Sequence, residues 1–99
     1  MAYLNQQQRE ALREELLKLK KLGKAAGRLR GMDKKVRVGV YRNMQKVGQF
    51  HTRYELPSLG ARVTLIEQDT RSEVKDANYS RREYDLVDVR VEPTADNVS

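Results

Sequence analysis

The chain has 99 residues, and its 20 lysines and arginines outnumber its 14 aspartates and glutamates, which gives a formal net charge of +6 at pH 7. It contains no cysteine and one histidine. This composition excludes disulfides and cysteine-ligated metals, and it argues against a histidine-based triad or metal cluster. The apolar runs are too short for a transmembrane span or a signal peptide. We therefore expect a single domain over residues 1–99 in the cytoplasm, with no cofactor, no metal and no enzymatic activity.

The first third of the chain predicts a basic amphipathic helix over residues 5–30. Asn5 suits the N-cap position, and Gln8 completes a capping-box pattern. Apolar residues then recur at steps of three and four, which places them on one helix face: Leu12, Leu16, Leu19, Leu22, Ala26 and Leu29. Gly23 and Gly27 leave two interpretations open. The helix ends near Gly23, with a short turn beyond it, or it continues to Gly31 and offers Gly23, Ala26 and Gly27 as a small-residue strip for a close backbone contact.

Residues 35–92 predict an antiparallel β region. Apolar residues alternate with polar ones, or with glycine, at 36–40, 50–56, 61–67 and 84–91, which is the period of a strand. A helix over 34–47 behind an Asp33 cap is the alternative for the first of these segments, but three valines and a glycine favour a strand. The fold class is therefore α+β, with an N-terminal basic helix followed by a four-stranded antiparallel sheet or small open barrel.

Two polar segments interrupt or follow this β region. Residues 68–80 contain a single β-branched apolar residue, Val74, and so predict a mobile hairpin loop. Pro93 ends the last strand, and residues 93–99 predict a flexible tail.

One pair of segments resembles a known family. Residues 60–65, with the sequence GARVTL, and residues 84–87, with the sequence YDLV, resemble the C-terminal domain of bacterial Gre-type transcript-cleavage factors. In that domain a Gly-x-x-Val-x-Leu strand pairs with a Tyr-x-Leu-Val strand. The N-terminal segment departs from the family, which has a long helical hairpin with acidic residues at its tip. The resemblance implies a transcription-related partner at most, and we carry no functional residue over from it.

The charge is unevenly distributed along the chain. Residues 1–50 hold 13 basic and four acidic residues, a net charge of +9, whereas residues 51–99 have a net charge of −3. Within the first half, residues 18–37 hold nine basic residues and one acidic residue. Such segregation indicates a polyanionic partner, because lysine and arginine side chains that neutralise phosphates release condensed counterions.

We therefore expect a small nucleic-acid-binding protein that contacts the phosphates of DNA or RNA through residues 18–42 with little sequence specificity. The expected phosphate contacts are Lys20, Lys21, Lys24, Arg28, Arg30, Lys34, Lys35, Arg37 and Arg42. Tyr41, Phe50 and Tyr54 are candidates for base stacking, with core packing as their alternative role. The alternative hypothesis is a protein-interaction or structural module without catalytic activity, either a homodimer or the partner of an acidic protein. Neither hypothesis involves a membrane.

Overall fold

Two helices precede a four-stranded antiparallel sheet in the computed structural model, which describes residues 3–42, 44–76 and 79–94, with only the backbone described at 70–76 and 79–83. The helices are α1 (Gln6–Leu19) and α2 (Leu22–Met32). The strands are β1 (Arg37–Arg42), β2 (Gln49–Leu56), β3 (Ala61–Asp76) and β4 (Tyr79–Pro93), and a 3-10 turn (Pro57–Leu59) joins β2 to β3. This arrangement confirms the α+β class. Neither helix in the described chain is long and apolar enough to cross a membrane.

The capping box predicted at the start of α1 is confirmed. The Asn5 side chain accepts a hydrogen bond from the Gln8 backbone N–H at 2.8 Å, and the Gln8 side chain accepts one from the Asn5 N–H at 2.9 Å. Two orphan amides of the first turn are satisfied in this way. Leu12 and Leu16 then lie buried against the sheet, as their spacing predicts.

The basic helix expected over 5–30 is divided into two helices, so of the two interpretations left open the structure follows the one in which the first helix ends near Gly23, with a second helix beyond it in place of a short turn. Lys20 adopts the left-handed conformation (φ 60°), Lys21 is extended, and α2 begins at Leu22. The turn directs the Lys20 carbonyl to the backbone N–H of Leu86 in β4, at 3.3 Å. The break lets both helices contribute to one core, in which Leu12 and Leu16 of α1 and Leu29 of α2 are buried.

The glycines of α2 lie on its exposed side. Ala25, Ala26 and Leu29 are buried in the core, whereas an added Cβ at Gly23 or Gly27 would meet no described atom within 4 Å. The proposed strip of Gly23, Ala26 and Gly27 is therefore split between two faces. Within the described chain, no other backbone packs closely against these glycines.

The sheet is open, in the order β1-β2-β3-β4, and every neighbouring pair is antiparallel. Alternation places Tyr54 and Leu56 of β2 on the face that the helices cover, together with Val63 and Leu65 of β3. The first β segment is confirmed as a strand, β1, and the alternative helix over 34–47 is wrong. The register of β1 places Val38 beside Tyr54 on the same face, but Val38 is exposed.

Most of the segment 68–80, which was expected to be a mobile loop, belongs to two β-strands in the structure. β3 continues to Asp76 and β4 begins at Tyr79, so the two strands form a long ribbon with a register irregularity between Asp69 and Glu73. The backbone ladder of a hairpin can continue without apolar anchors, because each strand satisfies the hydrogen bonds of the other. Of the expected tail, Pro93 belongs to β4, and residues 95–99 lie outside the described residues.

Candidate nucleic-acid interface

Helix α2 carries three of the nine predicted phosphate contacts, and a fourth, Lys21, directly precedes its first residue. Helical spacing places Lys24 and Arg28 along one flank, and Arg30 lies on the opposite flank. The Arg28 Nε atom contacts Glu15 of α1 at 2.5 Å, so this flank faces α1. Lys24 and Arg30 are exposed, and no carboxylate of the described residues forms an ion pair with either one. Positive charge therefore lines both flanks of α2.

The turn after α2 presents Lys34 and Lys35, and a buried carboxylate fixes its shape. Asp33 is 3% exposed and accepts hydrogen bonds from the backbone N–H of Lys35 at 2.8 Å and of Ser58 at 2.9 Å. Burial alone would raise the pKa of Asp33, but these hydrogen bonds outweigh burial and hold its pKa below the usual value. The two lysine side chains are exposed, so the turn anchored by Asp33 presents two cations to solvent.

The remaining three predicted contacts lie apart from α2 and its turn. Lys20 occupies the break between the helices. Arg37 begins β1 on the sheet face away from the helices, whereas Arg42 ends β1 on the helix-side face. The structure therefore places Lys24, Arg28 and Arg30 on α2 and Lys34 and Lys35 on the turn after it, whereas Lys20, Arg37 and Arg42 lie apart from both.

The three aromatic candidates have three different environments. Tyr54 is 3% exposed and belongs to the core, and burial raises its pKa while the charge of Arg30 opposes that rise. Tyr41 is exposed on the face away from the helices, where the Arg53 guanidinium lies 4.7 Å from its ring centroid. Phe50 is half-buried on the helix-side face. The core role therefore holds for Tyr54, and no common stacking platform exists.

Phe50 lines an open cleft of about 450 Å³ near the connection between β1 and β2. The Tyr84 ring packs edge-on against Phe50, with centroids 5.7 Å apart, and the Arg42 guanidinium lies 5.7 Å from the Phe50 centroid. Lys46 adds a second cation to the rim, and Asp69 adds one acidic group. Two aromatic rings beside two cations suit a flat π-system that carries negative charge nearby.

The sequence alone did not indicate Lys46 and Tyr84 as members of this site. Phe50 and Tyr84 belong to strands separated by β3, so their contact depends on the register of three strands. The sequence does predict the sheet face on which Phe50 lies, because Phe50 alternates with Thr52 and Tyr54 along the strand. The position of Tyr84 along β4 also depends on the bulge near Ile66 and Glu67.

No family model, no curated protein and no solved structure matches this chain. The resemblance to Gre-type factors therefore gains no support from these comparisons.

Proposed function

We propose that this protein binds nucleic acid with little base specificity and without catalysis, using the cations of α2 and of the turn that follows it. The observation that carries the proposal is the exposure of the charged segment. Nine basic residues fall within 18–37, and the side chains of Lys24, Arg30, Lys34 and Lys35 project from a helix and an anchored turn. Among the nine predicted contacts, Arg28 is the one whose side chain forms an ion pair with a carboxylate of the described residues.

The chemistry of these side chains suits a phosphate backbone. Lysine ammonium groups act as mobile point charges, and the planar guanidinium of Arg30 can bind two phosphate oxygens at once. Each phosphate that is neutralised releases condensed counterions, so affinity comes largely from charge and depends little on the bases. A rigid helix and turn lower the entropic cost of aligning several cations with successive phosphates.

The cleft at Phe50 favours single-stranded segments. A base can reach Phe50 and Tyr84 only when it is unstacked from its neighbours, and base–aromatic stacking tolerates any base because each has a π-face. Arg42 and Lys46 flank the cleft, where the phosphates on either side of a stacked base would lie. We therefore expect single strands to bind more tightly than duplexes of the same length.

Fluorescence anisotropy with labelled single-stranded and double-stranded oligonucleotides tests the proposal. The test variant removes three charges from the proposed surface: Lys24→Gln, Lys34→Gln and Lys35→Gln. The matched control removes three charges from the opposite sheet face: Arg53→Gln, Arg62→Gln and Arg90→Gln. We expect the test variant to lose at least tenfold in affinity and the control to lose much less. Absence of binding by the unmodified protein at low salt would overturn the function, and equal losses would overturn the site.

A further inference from the structure

The two edge strands of the sheet, β1 and β4, differ in whether another part of the described chain covers them. Helix α1 covers the β4 edge, where the Arg13 Nε donates to the Val89 carbonyl at 2.8 Å and the Lys20 carbonyl accepts from the Leu86 N–H at 3.3 Å. Within the described residues, no comparable contact reaches the outer edge of β1. One edge of the sheet is therefore closed and the other is open.

The hydrogen bonds of the sheet fix which backbone groups of β1 point outward. The Asp69 N–H donates to the Gly48 carbonyl at 2.9 Å, so the odd-numbered residues of β3 bond toward β2. The Thr94 N–H donates to the Gly60 carbonyl at 3.1 Å, which places the even-numbered residues of β3 toward β4, in agreement. Successive residues of a strand alternate in this direction.

The alternation continues into β2 and β1. Even-numbered residues of β2 bond toward β3, so the odd-numbered ones bond toward β1. Their partners in β1 are its odd-numbered residues, since Gly39 lies opposite Arg53. The N–H and C=O groups of Val38 and Val40 therefore point to the open edge, where an unpaired ladder is a template for another strand.

The side chains of β1 are apolar on both faces near this edge. Val38 and Val40 are 47% and 64% exposed on the helix-side face. On the other face the Tyr41 ring lies over Gly39, so closely that a Cβ at Gly39 would lie 3.1 Å from the Tyr41 hydroxyl oxygen. The strand has no proline and no bulge over 37–42, and its charges lie only at its two ends. Between these end charges it lacks the proline, the bulge and the central charge that protect many edge strands.

We propose that β1 pairs antiparallel with β1 of a second copy, about a two-fold axis at Gly39, and so forms a continuous eight-stranded sheet. In this register Val38 exchanges backbone hydrogen bonds with Val40 of the second copy, and the valines form a continuous apolar row on the helix side. On the opposite face Arg37 lies beside Tyr41 of the second copy, so no two arginines stand directly opposite each other.

A second copy fits this edge because the strand is self-complementary. The sequence Val38-Gly39-Val40 is symmetric about the axis, and like charges directly opposite each other would be destabilising in an antiparallel pair. Within one chain the guanidinium of Arg53 already lies over the Tyr41 ring. In the proposed dimer, Arg37 of the second copy would place another cation beside the same ring. The two-fold axis also places both α2 helices on the same side of the sheet. The inference does not depend on the proposed nucleic-acid binding.

Sedimentation equilibrium over micromolar to millimolar protein concentration tests the proposal. We expect a dimer in the unmodified protein and a monomer in Val40→Lys, which places two charges in the apolar row. Val87→Lys is the matched control, because Val87 is a similarly exposed valine, 51% exposed, on the covered-edge strand β4, and it should remain dimeric. Circular dichroism would confirm that both variants fold. A monomer at every concentration, or a dimer unaffected by Val40→Lys, would overturn the proposal.

Hydrogen exchange tests the register itself. In the dimer the amides of Val38 and Val40 should exchange slowly, whereas in Val40→Lys the amide of Val38 should exchange at the rate of an open edge. Fast exchange of both amides in a proven dimer would contradict pairing through β1.

Discussion

The Asp33 carboxylate accepts a hydrogen bond from the Ser58 backbone N–H at 2.9 Å, and this contact joins the end of α2 to the turn between β2 and β3. The same carboxylate accepts the N–H of Lys35 at 2.8 Å. Two segments far apart in sequence thus share one buried acceptor, which also orients the turn that carries Lys34 and Lys35.

Replacement of Asp33 by alanine should therefore destabilise the protein. It would remove the acceptor of two part-buried backbone donors, at a cost of roughly 1–3 kcal/mol in the free energy of unfolding. Urea denaturation measures the loss. Asp85→Ala is the control, since Asp85 is exposed, and it should change stability by less than about 0.5 kcal/mol. Equal effects of the two substitutions would contradict the anchoring role.

The lowered pKa of Asp33 predicts how stability responds to acid. Because the pKa of Asp33 is lower in the folded chain than in the unfolded chain, the unfolded state binds more protons between the two values. The stabilisation is fully present above the unfolded value of about 3.9 and is lost as the pH falls through the folded value. Urea midpoints measured between neutral and acidic pH should fall less steeply in Asp33→Asn than in the unmodified protein. Identical pH profiles would contradict the account.

Two glycines should respond in opposite ways to substitution by alanine. Gly27 lies exposed within α2 with no described atom within 4 Å of an added Cβ, so Gly27→Ala should stabilise the protein by about 0.5–1 kcal/mol through helix propensity. Gly48 has a φ of +77°, and its Cβ would lie 3.0 Å from that of Asp69. Gly48→Ala should therefore destabilise by roughly 1–2 kcal/mol. Thermal unfolding of both variants checks the signs, and a shift of the same sign in both would contradict the assigned environments.

The cleft makes a prediction about single-strand binding. Phe50→Leu keeps an apolar side chain and removes the stacking surface, so we expect a loss of roughly 1–3 kcal/mol in binding free energy for single-stranded oligonucleotides. Duplex affinity should change less. Tyr41→Leu, which alters the aromatic residue on the opposite sheet face, should leave single-strand affinity unchanged. Anisotropy titrations compare the two variants, and the reverse pattern would move the stacking site to Tyr41.

Local patterns predicted most of the fold because local chemistry decides those features. The capping box at Asn5 and Gln8 and the buried faces of Leu16 and Leu29 follow from helix geometry, and the period-two pattern of β2 follows from strand geometry. A helix end near Gly23 was one of two interpretations, but its exact position at Lys20 could not be predicted, since lysine has no preference for a left-handed conformation and a distant strand stabilises the turn at Leu86.

The candidate site was less predictable than the fold. The sequence located the positive charge on residues 18–37, but it could not show that Arg28 faces Glu15 or that Arg37 and Arg42 lie on opposite faces of the sheet. The contact between Phe50 and Tyr84 depends on pairing across β3, which no local pattern encodes.

The salt dependence of oligonucleotide binding tests the central claim most directly. If the exposed cations of α2 and its turn neutralise about five or six phosphates of a single strand, the slope of log K against log salt should be about −4. The Lys24→Gln, Lys34→Gln and Lys35→Gln variant should have a slope shallower by about 2, whereas the three-arginine control should keep the original slope. A slope near zero in the unmodified protein, or the same slope in all three proteins, would contradict phosphate binding by this surface.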